Sequence, residues 1–351
     1  VNQPYEVVEG TVADNAQVIA AVWSGSFELL RGELAQYKLM HSYFSNPAGS
    51  GPAFLLRYSH SQTVVGVQCI VLRKFIYQGR ELTAGITADY AVDSSHRSLL
   101  PALQLFRCCI AGASTIVSML YGFPNHKAEP VTKRAGFEKA MKLVRYAVPL
   151  RSASYISPML PSALRFPLQW CGDIALMTAA WARSLLLGGV TWSVNECARD
   201  GVDAIWTAAM ANPLFMSLRS SAILWWRFNM GATAEPGSAP WRIDVARAYV
   251  GGDPIGYVVW SLRGNIAIVG DFLCMYPELQ TARVMAAFRN LARRMGAIAI
   301  SLEYCGNASV GKELEKAGFS PRENSPLYVI QNAPMPTTDR WYFTGFDRDT
   351  D

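Results

Sequence analysis

Arg97 sits in the run Asp93-Ser94-Ser95-His96-Arg97-Ser98-Leu99-Leu100-Pro101-Ala102, where a loop opens a helix. A cation at a helix start is electrostatically awkward, because the first-turn N–H groups already present positive charge. A bound anion resolves the conflict. The same N–H groups suit phosphate, and Pro101 fits a first turn although it donates no N–H. Asp89 ends the strand leading into this loop, where a lone carboxylate anchors a strand end as readily as it does chemistry. Tyr90 and Tyr121 alternate with apolar neighbours, the pattern of core packing. His126 beside Lys127 reads as a solvated loop pair.

Other chemistries are excluded by composition. Seven cysteines are scattered without a Cys-x-x-Cys pair, and the four histidines do not cluster, so no metal site is expected. The cysteines read as free thiols in a reducing cytoplasm. The net charge is +5, and the one dense basic stretch, Arg289 to Arg294, reads as a solvated helix face. Nucleic acid is therefore not an expected partner. No signal peptide is read in the first ten residues. Ile174 to Val190 is nearly all apolar but short for a membrane span and interrupted by Arg183. It reads as a buried or interface helix, with peripheral membrane contact left open.

The elements that must hold these residues alternate between helical and strand patterns. Asp14 to Leu30 is expected to be a helix. Strands follow at Ala53–Ser59, Thr63–Lys74 and Ile86–Val92, with a hairpin turn at Gln78-Gly79-Arg80. A helix over Pro101–Gly112, a strand over Ile116–Gly122, a helix over Pro130–Ala135 and a strand over Lys142–Leu150 complete the first half. Arg151 to Pro167 is rich in proline and serine and reads as a linker. An apolar helix over Ile174–Leu187, more helix to Phe228 and a loop over Gly231–Pro240 precede a return of the first-half order.

That return is an internal repeat. Asn125 is followed eleven residues later by Gly136-Phe137, and Asn307 by Gly318-Phe319, at a common offset of 182 residues. Asp89 and Asp271, each ending a strand, share the offset. Val65-Gly66-Val67 parallels Ile255-Gly256-Tyr257 at an offset of 190, a difference that a longer first hairpin absorbs. Four ordered matches on like elements indicate duplication.

The run strand, turn, helix, strand, Asn, helix, Gly-Phe, written NHKAEPVTKRAGF and NASVGKELEKAGF, resembles the GNAT superfamily of GCN5-related N-acetyltransferases. It looks closest to tandem-domain members found with bacterial surface-polysaccharide genes. Ser217 to Phe228 and Asp339 to Asp351 add to that likeness. The resemblance implies an α/β fold of two tandem GNAT-like domains, each a mixed central sheet flanked by helices. Residues 1–150 would form the N-terminal domain, 151–168 the linker, and 169–351 a C-terminal domain with a degenerate donor loop.

It also implies a reaction. An acyl group from acetyl-CoA or another acyl-CoA would pass to the amine of a small-molecule acceptor, such as an amino sugar or amino-acid derivative, in the cytoplasm and without a metal. The family's phosphate loop reads Gln/Arg-x-x-Gly-x-Gly/Ala. Arg97 and Ala102 match its ends, Ser98 and Leu99 lie between, and Leu100 stands where the pattern has glycine. A backbone N–H near Ala91 or Val92 would polarise the thioester carbonyl, and Asn125 would hold the pantetheine arm or a water. Asp89 and Tyr90 are the implied base candidates. Thr132 and Leu314 stand where relatives carry an acid tyrosine, leaving Tyr121 or His126 as substitutes. The second copy carries Glu278 and nothing like the loop, so the donor site is expected in the first half. Three alternatives remain. The donor is an acyl-carrier protein, which lacks the pyrophosphate; the chain is a non-catalytic scaffold, with Leu100 filling the groove; or it is an aminoacyl-tRNA-dependent transferase with a basic groove mouth.

Overall fold

The computed structural model describes residues 4–28, 30–152, 161–194, 201–228 and 243–349, with positions 156, 199 and 230. Cys197 and the expected Gly231–Pro240 loop lie outside the described residues. The first half runs β1 (Tyr5–Thr11), α1 (Ala16–Ser26), α2 (Glu33–Leu39) and a π-helical turn over Met40–Phe44. It continues through β2 (Pro52–Tyr58), β3 (Thr63–Tyr77), β4 (Arg80–Val92), α3 (Leu99–Ala113), β5 (Met119–Gly122), α4 (Glu129–Arg134) and β6 (Glu138–Pro149). The helix expected over Asp14–Leu30 is present as α1 but ends at Ser26, and α2 follows after a turn in which Gly32 takes φ +56°. The expected hairpin turn is present, with Gln78 and Gly79 both at positive φ.

The second half opens on α5 (Ser162–Leu186), which includes Pro167 in its interior. Residues 162–168, expected in the linker, are thus helical. Then come β7 (Thr191–Val194), α6 (Val202–Met210), β8 (Phe215–Ser217) and α7 (Ser221–Arg227). The repeat order follows as β9 (Ile243–Val250), β10 (Asp253–Arg263), β11 (Ile266–Cys274), α8 (Pro277–Arg294), β12 (Ala299–Gly306), α9 (Ala308–Lys316) and β13 (Ser320–Gln331), closed by β14 (Trp341–Thr344).

The repeated Asn and Gly-Phe have a local cause. Asn125 Oδ1 accepts from the N–H groups of Lys127 and Ala128 at 3.0 Å, and Asn307 Oδ1 accepts from Ser309 N–H at 2.8 Å. Each side chain satisfies donors that open α4 or α9. Gly136 and Gly318 take φ +107° and +93° just past those helices, where an L side chain would be strained. Phe137 N–H returns to the Thr132 carbonyl and Phe319 N–H to that of Leu314, closing both helix ends in the same way.

The strands form one mixed sheet in the order β1-β2-β3-β4-β5-β13-β6-β12-β11-β10-β9-β7. The strand after each Gly-Phe leaves its own half. β13 pairs antiparallel with β5 of the first half, and β6 pairs antiparallel with β12 of the second. β6 and β13 pair with each other, Glu138 opposite Val329 and Ala147 opposite Ser320. Those two pairs exchange under the 182-residue offset, so the junction has local two-fold symmetry. β14 pairs with β12 and β8, and β8 pairs with β3, which closes a ring of strands. Phe75, Tyr121, Phe215, Leu327, Trp341 and Phe343, drawn from both halves, share the core on that face of the sheet. α3 and α4 cover the other face of the first half, over Phe54, Leu105, Phe106, Leu120 and Phe137.

Candidate active site

β4 and β5 are parallel and paired only from Ala84/Met119 to Ile86/Tyr121; beyond Ile86, β4 runs on to Val92 without β5. Within that stretch Cys69 faces Ala88 and Val67 faces Ala91, so Asp89 and Tyr90 oppose the single Gln68. This is a β-bulge, and Asp89 adopts φ +56° there. Gln68 stitches it by donating to the carbonyls of Ala88 at 2.7 Å and Cys69 at 2.9 Å.

The bulge sends Asp89 and Tyr90 to opposite faces. Tyr90 packs at a tilt against Phe106 of α3, with ring centroids 4.8 Å apart. Burial pushes its phenol above the ordinary range. Asp89 turns toward the helices α1 and α2. Lys38 Nζ lies 2.6 Å from its carboxylate, Tyr43 donates to it at 2.9 Å, and Trp23 Nε1 donates to its carbonyl at 3.0 Å. A second carboxylate, Asp349, lies 3.6 Å from Lys38 Nζ. Burial and the Asp349 charge push Asp89 up to about 7, against the pull of Lys38. Position alone singled out Asp89; its partners Lys38, Tyr43 and Asp349 went unread, because helices and the far C-terminal segment bring them in.

The loop after β4 is ordered by its own side chains. Asp93 accepts from Ser95 N–H at 2.8 Å and from Ser95 Oγ at 2.5 Å. Arg97 folds back, with Nε and Nη2 donating to the Val92 carbonyl at 3.2 and 3.0 Å. Its charge is thereby held where α3 opens. Ser98 precedes α3 without a side-chain cap. Ala91, Val92 and Ala102 are buried, whereas Leu99 is exposed and Leu100 is 66% exposed. Leu100 therefore does not plug the space between β4 and β5, as a filled groove would require.

Asn125 stands on the loop after β5 with its carbonyl oxygen engaged in capping α4. Thr132 is buried and donates to the Ala128 carbonyl at 3.0 Å. Tyr121 is placed apart from the others. It is fully buried among Phe75, Phe123 and Phe343, and its hydroxyl donates to the Asp347 carbonyl at 3.2 Å. One unanticipated hydroxyl lies beside α4: Tyr328, on the exchanged strand β13, donates to Glu129 at 2.7 Å.

The second half repeats the bulge. Val259 faces Asp271 and Trp260 faces Val269, leaving Gly270 as the extra residue. Asp271 is fully buried, receives Tyr257 OH at 2.8 Å and Thr344 Oγ1 at 2.6 Å, and lies 3.2 Å from Arg219 Nε. Arg219 also reaches Asp347 at 2.7 Å. Burial opposes the charge on Arg219, yet the two carboxylates push its basicity above the ordinary value. The motif of carboxylate, cation and tyrosine is thus common to both halves. The space differs. β14 lies against the end of β12, and Tyr342 donates to the Phe272 carbonyl at 2.6 Å. Phe272, Tyr304 and Tyr342 are buried together, so side chains occupy the divergence of β11 and β12. Glu278, where the second phosphate loop would be, receives Asn307 Nδ2 at 2.7 Å. Among the described residues no group of three or more His, Cys, Asp or Glu is placed to hold a metal.

Splayed parallel strands, a bulge at the fourth strand and a helix opening beside it define the N-acetyltransferase fold, and solved structures agree. The chain superposes on a GCN5-related N-acetyltransferase from Anabaena variabilis with TM-score 0.62 and 11% identity, covering 93% of this chain and 73% of that one. A probable N-acyltransferase from Enterococcus faecalis gives 0.63 and 10%, over 94% and 73%. N-myristoyltransferase from Saccharomyces cerevisiae with bound myristoyl-CoA gives 0.55 and 9%, over 96% and 85%. The fold is therefore GNAT-like, a large mixed sheet flanked by helices. No protein-family model and no curated relative matches the sequence.

Proposed function

We propose that the chain is an N-acyltransferase whose first half takes the acyl group from an acyl-CoA. The observation that carries the reading is the buried Asp89, raised to about 7 at the bulge of the unpaired end of β4. A base near the working pH combines availability with proton-accepting strength. The pantetheine arm enters between β4 and β5, and its phosphates meet the opening of α3 beside Arg97. A backbone N–H near Ala91 or Val92 stabilises the oxyanion. The acceptor nitrogen forms a bond to the thioester carbon and loses a proton to Asp89. The C–S bond then breaks, and the thiolate takes up a proton. Tyr90, on the α3 face of β4, is the candidate proton donor to that thiolate, and Asn125 borders the path from the loop after β5. The solved structure with myristoyl-CoA has the same fold and carries such a donor.

Calorimetric titration with acetyl-CoA and a longer acyl-CoA tests the reading. Saturable binding that Arg97→Ala weakens roughly tenfold is expected, the loss of one charge-assisted phosphate contact. Absence of binding by both thioesters overturns the coenzyme A reading. Leu100 and Pro101 at the helix opening then favour a second one, an acyl-carrier-protein donor, because it brings no pyrophosphate to be cradled there.

A further inference from the structure

α5 is built inside out. Its least exposed positions recur every three to four residues and are Arg165, Gln169, Gly172, Asp173, Leu176, Ala180 and Ser184. Asp173 accepts from Ser152 N–H at 2.6 Å and lies 3.6 Å from Arg293 of α8. Arg183 reaches back to the turn at Gly318. Leu164, Leu168, Ile174 and Leu185 face outward, with Trp170 at 71% and Trp181 at 61% exposure. Thr178 spends its hydroxyl on the carbonyls of its own helix. A helix on the surface of a water-soluble protein has the opposite arrangement.

The chemistry of this face selects its occupant. α5 has 25 residues, a rod of roughly 37 Å. A face about 10 Å wide on it offers about 370 Å², against the roughly 800 Å² per partner of a stable protein complex. Its exposed side chains are almost all apolar, the indole N–H groups of Trp170 and Trp181 apart, whereas a protein partner would need about one hydrogen bond per 100–200 Å². No helix among the described residues is long and apolar enough to cross a membrane. Charge completes the pattern. α5 and the helix beneath it, α8, carry Arg165, Arg183, Arg283, Arg293 and Arg294 outside the core against Asp173 and Glu278, while Arg289 is buried and donates to the Ala317 carbonyl. They hold most of the chain's net charge of +5.

We infer that α5 seats the protein on the surface of an anionic lipid bilayer. The helix lies in the plane of the interface, with Trp170 and Trp181 at the boundary between headgroups and acyl chains. The cations of α5 and α8 supply the attraction to the headgroups.

Flotation of the full chain with vesicles tests this, using phosphatidylcholine alone and phosphatidylcholine mixed with phosphatidylglycerol. The protein is expected to float with the mixed vesicles and only weakly with the neutral ones. A Trp170→Glu, Trp181→Glu double variant is expected to lose at least roughly tenfold in partitioning. Its circular dichroism and Tm should match the wild type, because both side chains already face solvent. Failure of the wild type to float with either vesicle overturns the inference. So does flotation that the double variant retains. A sedimentation-velocity dimer that the double variant dissociates, without vesicle binding, assigns the face to a second copy instead. Equal flotation with both vesicles overturns the part played by the cations.

Discussion

Asp89 is set apart by what surrounds it. Lys38 and Tyr43 stabilise its charge, while burial and Asp349 oppose it, and opposition wins. If it accepts the acceptor's proton, kcat/KM should rise through about pH 7 and level off above. Asp89→Asn should lower turnover by about 10²–10⁴ and flatten that rise, read from initial rates against pH. The same shift has a stability sign. Between the unfolded carboxylate value near 3.9 and the folded value of about 7, the folded state binds the extra proton, so stability falls as pH rises across that window. Asp89→Asn should make Tm less dependent on pH between about 4 and 7. Asp271 serves as the contrast. Asp271→Ala would leave Arg219 short of a partner in a fully buried site, and urea unfolding should show a loss of about 3–5 kcal/mol. Both aspartates could be found from the repeat. Their partners could not, because Lys38 and Asp349 meet Asp89 from positions 51 and 260 residues away.

At the scale of elements, local chemistry was readable wherever a residue answers to its own neighbours. The helix caps of Asn125 and Asn307 and the left-handed glycines after them follow from backbone geometry, which is why the repeat survives in sequence. Gly136→Ala and Gly318→Ala should each cost about 1–2 kcal/mol through that geometry. Gly318→Ala should cost more in urea unfolding, because its new methyl meets the Arg289 guanidinium, whereas nothing lies within 4 Å at Gly136. Elements answering to distant packing were read less well. β1 lies at the edge of the sheet, and its partly exposed residues give little alternation. α5 starts earlier than expected because Pro167 sits within the helix that it would ordinarily end.

For the molecule as a whole, two like halves were visible in the sequence, and their manner of joining was not. The residues after Gly-Phe read as a strand whichever sheet receives them, so no pattern distinguishes β6 at home from β6 exchanged. Exchange has a direct consequence for dissection. Residues 1–150 alone would lack β13, which lies between β5 and β6. That fragment should aggregate or stay unfolded when expressed alone, and co-expression with residues 151–351 should recover soluble protein, read by size-exclusion chromatography. A solitary strand edge on either side of the missing one gives the reason.

The crossing of β6 and β13 also bears on time. Met119 must find Gln331, and Pro149 must find Ala299, before either half has a finished sheet. Neither half can therefore complete its fold while the other is unmade, and the last strand of the first copy must wait until β12 and β13 have left the ribosome. The closing event joins segments some two hundred residues apart, the kind of contact that slows folding most. Once made, the junction resists dilution, since both strands belong to one chain and neither can diffuse away.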